Sequence, residues 1–328
     1  MAKGYNLLPM NSREIRLRHL SFLGMVLVVV LWGLAPLSGK ILFRDNAYSP
    51  ALLIACRGLV SVVVMGIILF FSGRFKKLNK SYWICLPAGL VMGGAYLFQF
   101  IGLESTSLAK NTFLESFSVV VTPLAMLLLT RSKPSLSSIL AAIFCFVGAF
   151  VLCGNGWDFS SLFAVPTFGD IFSAIGGALF GVNIAMTKVF SKDKDPYLYV
   201  FFLLLIMTIM SFGYALPFEK GLTFSWRYDH LLLLLFLSLI CTVGCWVMRT
   251  ICLKRVSAVT CAVLNPMSAV IATSISIAMG IEGFTFNVLF GGLIITLSIL
   301  LSGIVDARSE AKLALKPMVN DEKSVEKP

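Results

Sequence analysis

The chain has 328 residues, of which 58% are Ala, Val, Ile, Leu, Met, Phe, Trp, Tyr or Cys and only 13% are charged. An average soluble domain is roughly half apolar and a quarter charged, so an ordinary soluble globular protein is excluded, as are a disordered chain and a coiled coil. The formal net charge of +11, from 27 Lys+Arg against 16 Asp+Glu, lacks the single clustered basic face that nucleic-acid binding needs; in a polytopic protein, basic residues mark cytoplasmic loops.

Apolar runs bounded by charge, Gly or Pro predict ten membrane helices, at about 20–41, 51–73, 82–103, 110–130, 137–154, 168–189, 197–217, 231–252, 258–280 and 286–305, each near the ~20 residues that cross a bilayer. The expected fold class is all-α and polytopic. A cytoplasmic segment 1–19 precedes a first five-helix unit, 20–154; a second unit, 168–305, leads into a charged cytoplasmic tail, 306–328. The first span follows Lys3, Arg13, Arg16 and Arg18 as a signal peptide would, but it is too long and lacks a small-residue cleavage site, so it reads as an uncleaved anchor. With the N-terminus in the cytoplasm, twenty-one basic residues fall inside and five outside (Lys40, Arg44, Lys110, Lys220 and Arg227). Arg249 counts here with Lys254 and Arg255 as an inner loop residue, and Arg57 stays within a helix. The asymmetry places both termini in the cytoplasm. Short loops without a recognisable eukaryotic sorting tail suit a bacterial cytoplasmic membrane.

The halves repeat at about 150 residues. Leu31-Trp32-Gly33 followed by Lys40 lies over Leu179-Phe180-Gly181 followed by Lys188; Gly94, Tyr96, Leu103, Ser107 and Leu114 lie over Gly244, Trp246, Leu253, Ser257 and Leu264. Five helices per unit is an odd number, so the second unit must insert upside down. Inverted repeats characterise many secondary transporters, whose halves exchange conformations to open a midplane site to either side in turn.

Specific motifs sharpen this reading. Gly102-Leu103-Glu104-Ser105-Thr106-Ser107, Thr112-Phe113-Leu114 and Val119-Val120-Val121-Thr122-Pro123-Leu124 resemble the third-to-fourth-helix signature of the EamA-type drug/metabolite transporters. Ser257-Ala258, Leu264-Asn265-Pro266 and Gly280-Ile281-Glu282 resemble its second copy, and Trp32-Gly33 and Gly169-Asp170 also fit. The resemblance covers roughly residues 20 to 305. It implies a ten-helix carrier with two inverted five-helix repeats for amino acids, sugar-nucleotide-like metabolites, S-adenosylmethionine or drugs. The sequence departs from the pattern at Glu115, where a small polar residue is common, and at Asn265, where the second copy often has Glu.

Ionisable groups within hydrocarbon cost at least ~2.5–3.5 kcal/mol, so each is a candidate for function. Arg57 and Glu115 lie at a similar depth, about 8–12 Å from the outer ends of their helices at ~1.5 Å per residue. Two readings stay open: a salt bridge that fixes helix packing, or a substrate site in which Arg57 meets a carboxylate or phosphate and Glu115 an amine. Glu115 is also a candidate carrier of a coupling proton. Trp32, Tyr96, Gln99, Asn111, Asn183, Trp246 and Asn265 are the further interior residues that could line the site, against the alternative of interhelical hydrogen bonding. Pro36, Pro123 and Pro266 predict bends. Gly89-x-x-x-Gly93 and Gly177-x-x-x-Gly181 predict close helix contacts, and Trp83, Trp157 and Trp226 read as interfacial belt residues.

No phosphate-binding loop is present, and the two histidines, His19 and His230, fall at span boundaries. No cofactor, metal or enzyme activity is expected. The expected function is alternating-access transport of a small solute, an amino acid or a derivative such as S-adenosylmethionine, in contact with membrane lipid and without nucleic acid. An uncoupled facilitator, or an accessory protein of a lipid flippase or membrane enzyme, is the alternative. Oligomeric state is not legible.

Overall fold

The computed structural model describes residues 12–106, 108–131, 135–152, 167–219, 222–278 and 285–301. Among them the chain is all-helical apart from one isolated bridge, Tyr48 to Phe224. Eight helical segments are long and apolar enough to cross a membrane: α1 (Arg13–Arg44), α2 (Pro50–Phe71), α3 (Lys80–Ser105), α4 (Lys110–Thr130), α6 (Phe168–Phe190), α7 (Pro196–Phe218), α8 (Tyr228–Leu253) and α9 (Ala258–Ile275). Two shorter apolar helices, α5 (Leu136–Leu152) and α10 (Phe286–Leu301), complete the set. Each overlaps a span that hydropathy predicts, and the eight longer ones meet the length and apolarity that crossing requires. The Gly280-Ile281-Glu282 turn, Lys3, Ser107, Lys133, Trp157, Lys220 and the tail 306–328 lie outside the described residues.

Loop contacts sort the helix ends into two faces. On one, Arg74 and Lys77 hold Asp195 at 2.7 and 3.1 Å, Lys194 reaches Ser81, and Lys254 reaches the Lys194 carbonyl. We call this the basic face. On the opposite face, Glu219 accepts from Ser49 Oγ and from the amides of Ala51 and Leu52, capping the start of α2, while Tyr48 Oη donates to the Ser225 carbonyl. There too Lys110 and Thr106 converge on Asp170 at 2.6 Å each, and Asp170 and Thr167 close a reciprocal cap on α6. Trp83 and Trp226 sit exposed at span ends.

Two lysine clasps reproduce the repeat in space. Lys40, in the last turns of α1, donates to the carbonyls of Leu103 and Thr106 at the end of α3, both at 2.8 Å. Lys188, near the end of α6, donates to those of Leu253 and Val256 after α8, at 2.6 and 2.7 Å. Each ammonium satisfies carbonyls that a helix end leaves without intrahelical partners. The acceptors differ by 150 residues in number and the clasps lie on opposite faces.

Glycines set the closest contacts. A Cβ on Gly177 would collide with the Leu114 carbonyl, and one on Gly89 would stand 2.6 Å from Ile206 Cδ1. Both small-residue pairs therefore pack within the bundle, Gly177 and Gly181 against α4, Gly89 and Gly93 against α7.

The bends only partly follow proline. The first span breaks at Leu34, two residues before Pro36, and α9 breaks at Asn265-Pro266. Pro123, expected to bend α4, lies inside the unbroken stretch Phe117–Thr130; the break comes earlier, at Ser116, where Ser116 N bonds to the Phe113 carbonyl and Val119 N to that of Ser116. Those shorter bonds tighten the turn. The second copy repeats them, with Asn265 N on the Ala262 carbonyl and Ala269 N on that of Pro266. In α8 the opposite distortion occurs: Phe236–Gly244 forms a wide-turn π segment.

Candidate functional site

The three breaks adjoin one cavity of about 580 Å3 of atom-free space, open solvent included, and the π segment reaches it through Thr242, which holds the lining residue Arg57. Its aromatic wall is Trp32, Tyr96, Phe100 and Phe180, and its polar lining is Arg57, Gln99, Glu115, Arg249, Asn265 and Ser268; Ala35 and Pro36 complete it beside the break in α1. Apolar walls with a few convergent polar groups are the usual form of a small-molecule site.

Two aromatic pairs meet in its wall. Trp246 Nε1 donates to Tyr96 Oη at 2.8 Å. Trp32 packs on Trp246 with centroids 5.7 Å apart, and Phe180 packs on Tyr96 at 5.2 Å. Tyr96 and Trp246 occupy equivalent positions of the two units, as do Trp32 and Phe180, so the repeat extends into the cavity wall. Trp32 Nε1 also donates to the Cys241 carbonyl; the buried Trp246 and the half-buried Trp32 thus have their polar edges satisfied.

The charged groups are held apart. Arg57 is 1% exposed, donates through Nε and Nη2 to Thr242 Oγ1 at 3.1 and 2.8 Å, and lies over Tyr96 and Phe100 at 4.9 and 5.4 Å. The wide turn of α8 presents that acceptor, since Thr242 Oγ1 itself donates to the Leu237 carbonyl five residues back. Glu115 accepts from Gln99 Nε2 at 2.8 Å. The salt bridge that equal depth allowed between Arg57 and Glu115 is absent: each hydrogen-bonds a neutral partner instead. Depth along a helix does not fix direction around it, and the rings of Tyr96 and Phe100 take the Arg57 guanidinium.

Arg249 is the residue that sequence reasoning misplaced. Four residues before the end of α8, it was grouped with Lys254 and Arg255 as a loop cation; it is 1% exposed and faces the cavity. Its guanidinium lies 4.6 Å from the Trp246 ring and 5.3 Å from Trp32, with no carboxylate partner among the described residues. Nε and Nη1 of Arg249, Nη1 of Arg57 and Oδ1 of Asn265 are buried without hydrogen-bond partners. The signal that could have found Arg249 was the repeat: it is the equivalent of Gln99, as Asn265 is of Glu115.

Of the sequence-predicted residues, Trp32, Arg57, Tyr96, Gln99, Glu115 and Asn265 line this cavity. Asn183 does not; fully buried, it donates to the Ala88 carbonyl at 3.1 Å, tying α6 to α3. Asn111 ties α4 to the same two helices nearer the opposite face, donating to Ser173 Oγ and the Gln99 carbonyl, and Trp246 stands behind Tyr96.

Comparison with known proteins agrees with this architecture. No curated protein matches the sequence. A solved structure titled only "Crystal structure of protein" has 16% sequence identity and a TM-score of 0.70, covering 90% of this chain and 99% of its own, a likeness of fold alone. The model of the EamA-like transporter family matches twice, over residues 19–154 and 167–304. With both halves matched, separately and in order, the chain belongs to the EamA-like transporter family.

Proposed function

We propose that the protein is a secondary carrier in which ten spans, arranged as two inverted five-helix repeats, expose the cavity to either side of the membrane in turn. The observation that carries this reading is the lining: two arginines and a glutamate, opposite charges held by neutral partners, face one aromatic chamber between the units. A buried charge without an ionic partner is expensive, and a solute that supplies the partner recovers that cost. In this reading the solute is an amino acid or a close derivative, with its carboxylate on the guanidinium donors and its ammonium on Glu115; Glu115 is the group placed to carry a coupling proton. The basic face lies in the cytoplasm.

Uptake into proteoliposomes of radiolabelled amino acids, S-adenosylmethionine and nucleotide sugars tests it, with Arg57→Ala and Glu115→Gln beside the wild type. One solute is expected to accumulate, to be competed by its unlabelled form and to be lost in both variants. A solute that moves equally in all three sinks the site assignment. If nothing moves in counterflow either, the carrier reading fails and an accessory role takes its place.

A further inference from the structure

The two units share a backbone plan, but their cavity side chains carry different charge. Where the first unit has Gln99 and Glu115, the second has Arg249 and Asn265. The first pair is closed on itself by the Gln99–Glu115 hydrogen bond; the second is open, with Arg249 Nε and Nη1 and Asn265 Oδ1 all buried without partners. Arg57 adds a second guanidinium with a buried free donor, Nη1. Arginine cannot shed its charge within a protein. The cavity lining is therefore net positive whether Glu115 is ionised or protonated. Neutralising it requires an anion, and the two guanidiniums, stacked on different aromatic groups, offer two separate forks.

From this we infer that the solute carries net negative charge and two anionic groups, carboxylate or phosphate, one held by Arg57 and the other by an Arg249–Asn265 subsite. This rests on the carrier reading and narrows its solute. An acidic amino acid is the simplest member of the class: its two anionic groups meet the two arginines, Glu115 remains for its ammonium, and the sum of charges is zero. Asn265 Oδ1 is the acceptor left for a hydroxyl, amide or ammonium beside the second anionic group. A neutral amino acid leaves one guanidinium uncompensated. S-adenosylmethionine, which adds a sulfonium, raises the positive charge of the chamber instead of cancelling it.

The test is binding rather than transport, so failure here is distinguishable from failure of the carrier reading. L-Glutamate, L-glutamine and L-lysine form a charge series of nearly constant shape, and O-phospho-L-serine substitutes phosphate for carboxylate. Their binding to the purified full-length protein is read by the fluorescence of Trp32 and Trp246 and by thermal stabilisation. We expect glutamate or phosphoserine to bind at least tenfold tighter than glutamine, with no response to lysine. Arg249→Gln, which installs the first unit's residue, should weaken the anion at least tenfold, and Arg249→Lys should retain part of the affinity. Arg249→Gln should also raise the melting temperature of the ligand-free protein, because it removes a buried charge without a carboxylate partner, two of whose donor atoms, Nε and Nη1, are unpaired. The inference is overturned if glutamine or lysine binds as tightly as the anions, if no member of the series binds, or if ligand-free Arg249→Gln melts lower than the wild type.

Discussion

The paired lysine clasps give a prediction whose sign is set by geometry. In Lys188→Met the apolar stem is kept while two ammonium hydrogen bonds, 2.6 and 2.7 Å long, are lost at the basic face. Hydrogen bonds to a charged group contribute ~1.5–3 kcal/mol each. Taking the low end for each bond at this half-buried site, and subtracting the ~1.5–2 kcal/mol of side-chain freedom the lysine recovers, leaves about 1–1.5 kcal/mol. That is roughly a five- to twelvefold shift in the equilibrium between contact made and contact broken. The variant should therefore favour opening between α6 and α8 on the basic face. Lys40→Met removes the equivalent bonds between α1 and α3 on the opposite face and should shift the same equilibrium the other way. The reporter is Ser268→Cys, at the cavity lining, in a cysteine-free background, labelled with an impermeant maleimide from either side of oriented vesicles. Lys188→Met should speed labelling from the basic side by about that factor and slow it from the other; Lys40→Met should do the converse, and the double variant should return close to the starting ratio. If both single variants shift labelling in the same direction, or the double variant does not cancel, the clasps are not opposed gates.

Three further outcomes follow from single contacts. Thr242→Val removes the oxygen that accepts from Arg57 Nε and Nη2; losing this two-donor charge-assisted contact, about 2 kcal/mol or more, should lower the melting temperature by several degrees, and Thr242→Ser should restore it. Asp195 titrates with a defined sign: burial pushes its carboxyl up, but Lys77, the Tyr197 amide and Arg74 outweigh it and hold the carboxyl below its ordinary value. A depressed carboxyl contributes stability above its unfolded value, ~3.9, that is lost as pH falls through the folded value, so acid melting curves should fall below about pH 4 and Asp195→Asn should flatten that limb while melting lower at pH 7. Gly177→Ala forces a methyl onto the Leu114 carbonyl, and overpacking of this kind costs ~1–3 kcal/mol; an unchanged melting temperature would show that the α4–α6 contact yields.

Hydropathy read depth well and direction poorly. The span positions and the repeat follow from composition along the chain, and a polar residue in an apolar run announces itself at any azimuth. What a single sequence does not state is which neighbour that residue faces. Asn183 and Asn265 look alike in sequence, yet one faces the Ala88 carbonyl and the other the cavity. Arg249 failed for the same reason: near a helix end, followed by two more cations, it matched a loop pattern, and only its equivalence to Gln99 pointed inward. The break at Ser116 and the π segment of α8 are invisible to proline counting because they arise from packing, the first against the bare Gly177 and Gly181 face of α6.

Symmetry is kept and broken at different levels of the structure, and the division has a mechanical reason. A carrier needs two conformations that differ by no more than a few kcal/mol, so that solute binding can shift the population between them. In the proposed carrier, equivalent backbone devices in the two units would bring the two gated states close in energy: Lys40 and Lys188, and the tightened turns at Ser116 and Asn265, are the candidates. In that proposal the chamber is under no such demand, since the same side chains would meet the solute whichever face is open. Gln99 and Glu115 can therefore diverge from Arg249 and Asn265 without unbalancing the gates. It follows that exchanging the chamber residues between units, Gln99→Arg with Arg249→Gln, should change affinity while leaving the ratio of maleimide labelling from the two sides in place; a changed ratio would mean that the chamber itself sets the resting state.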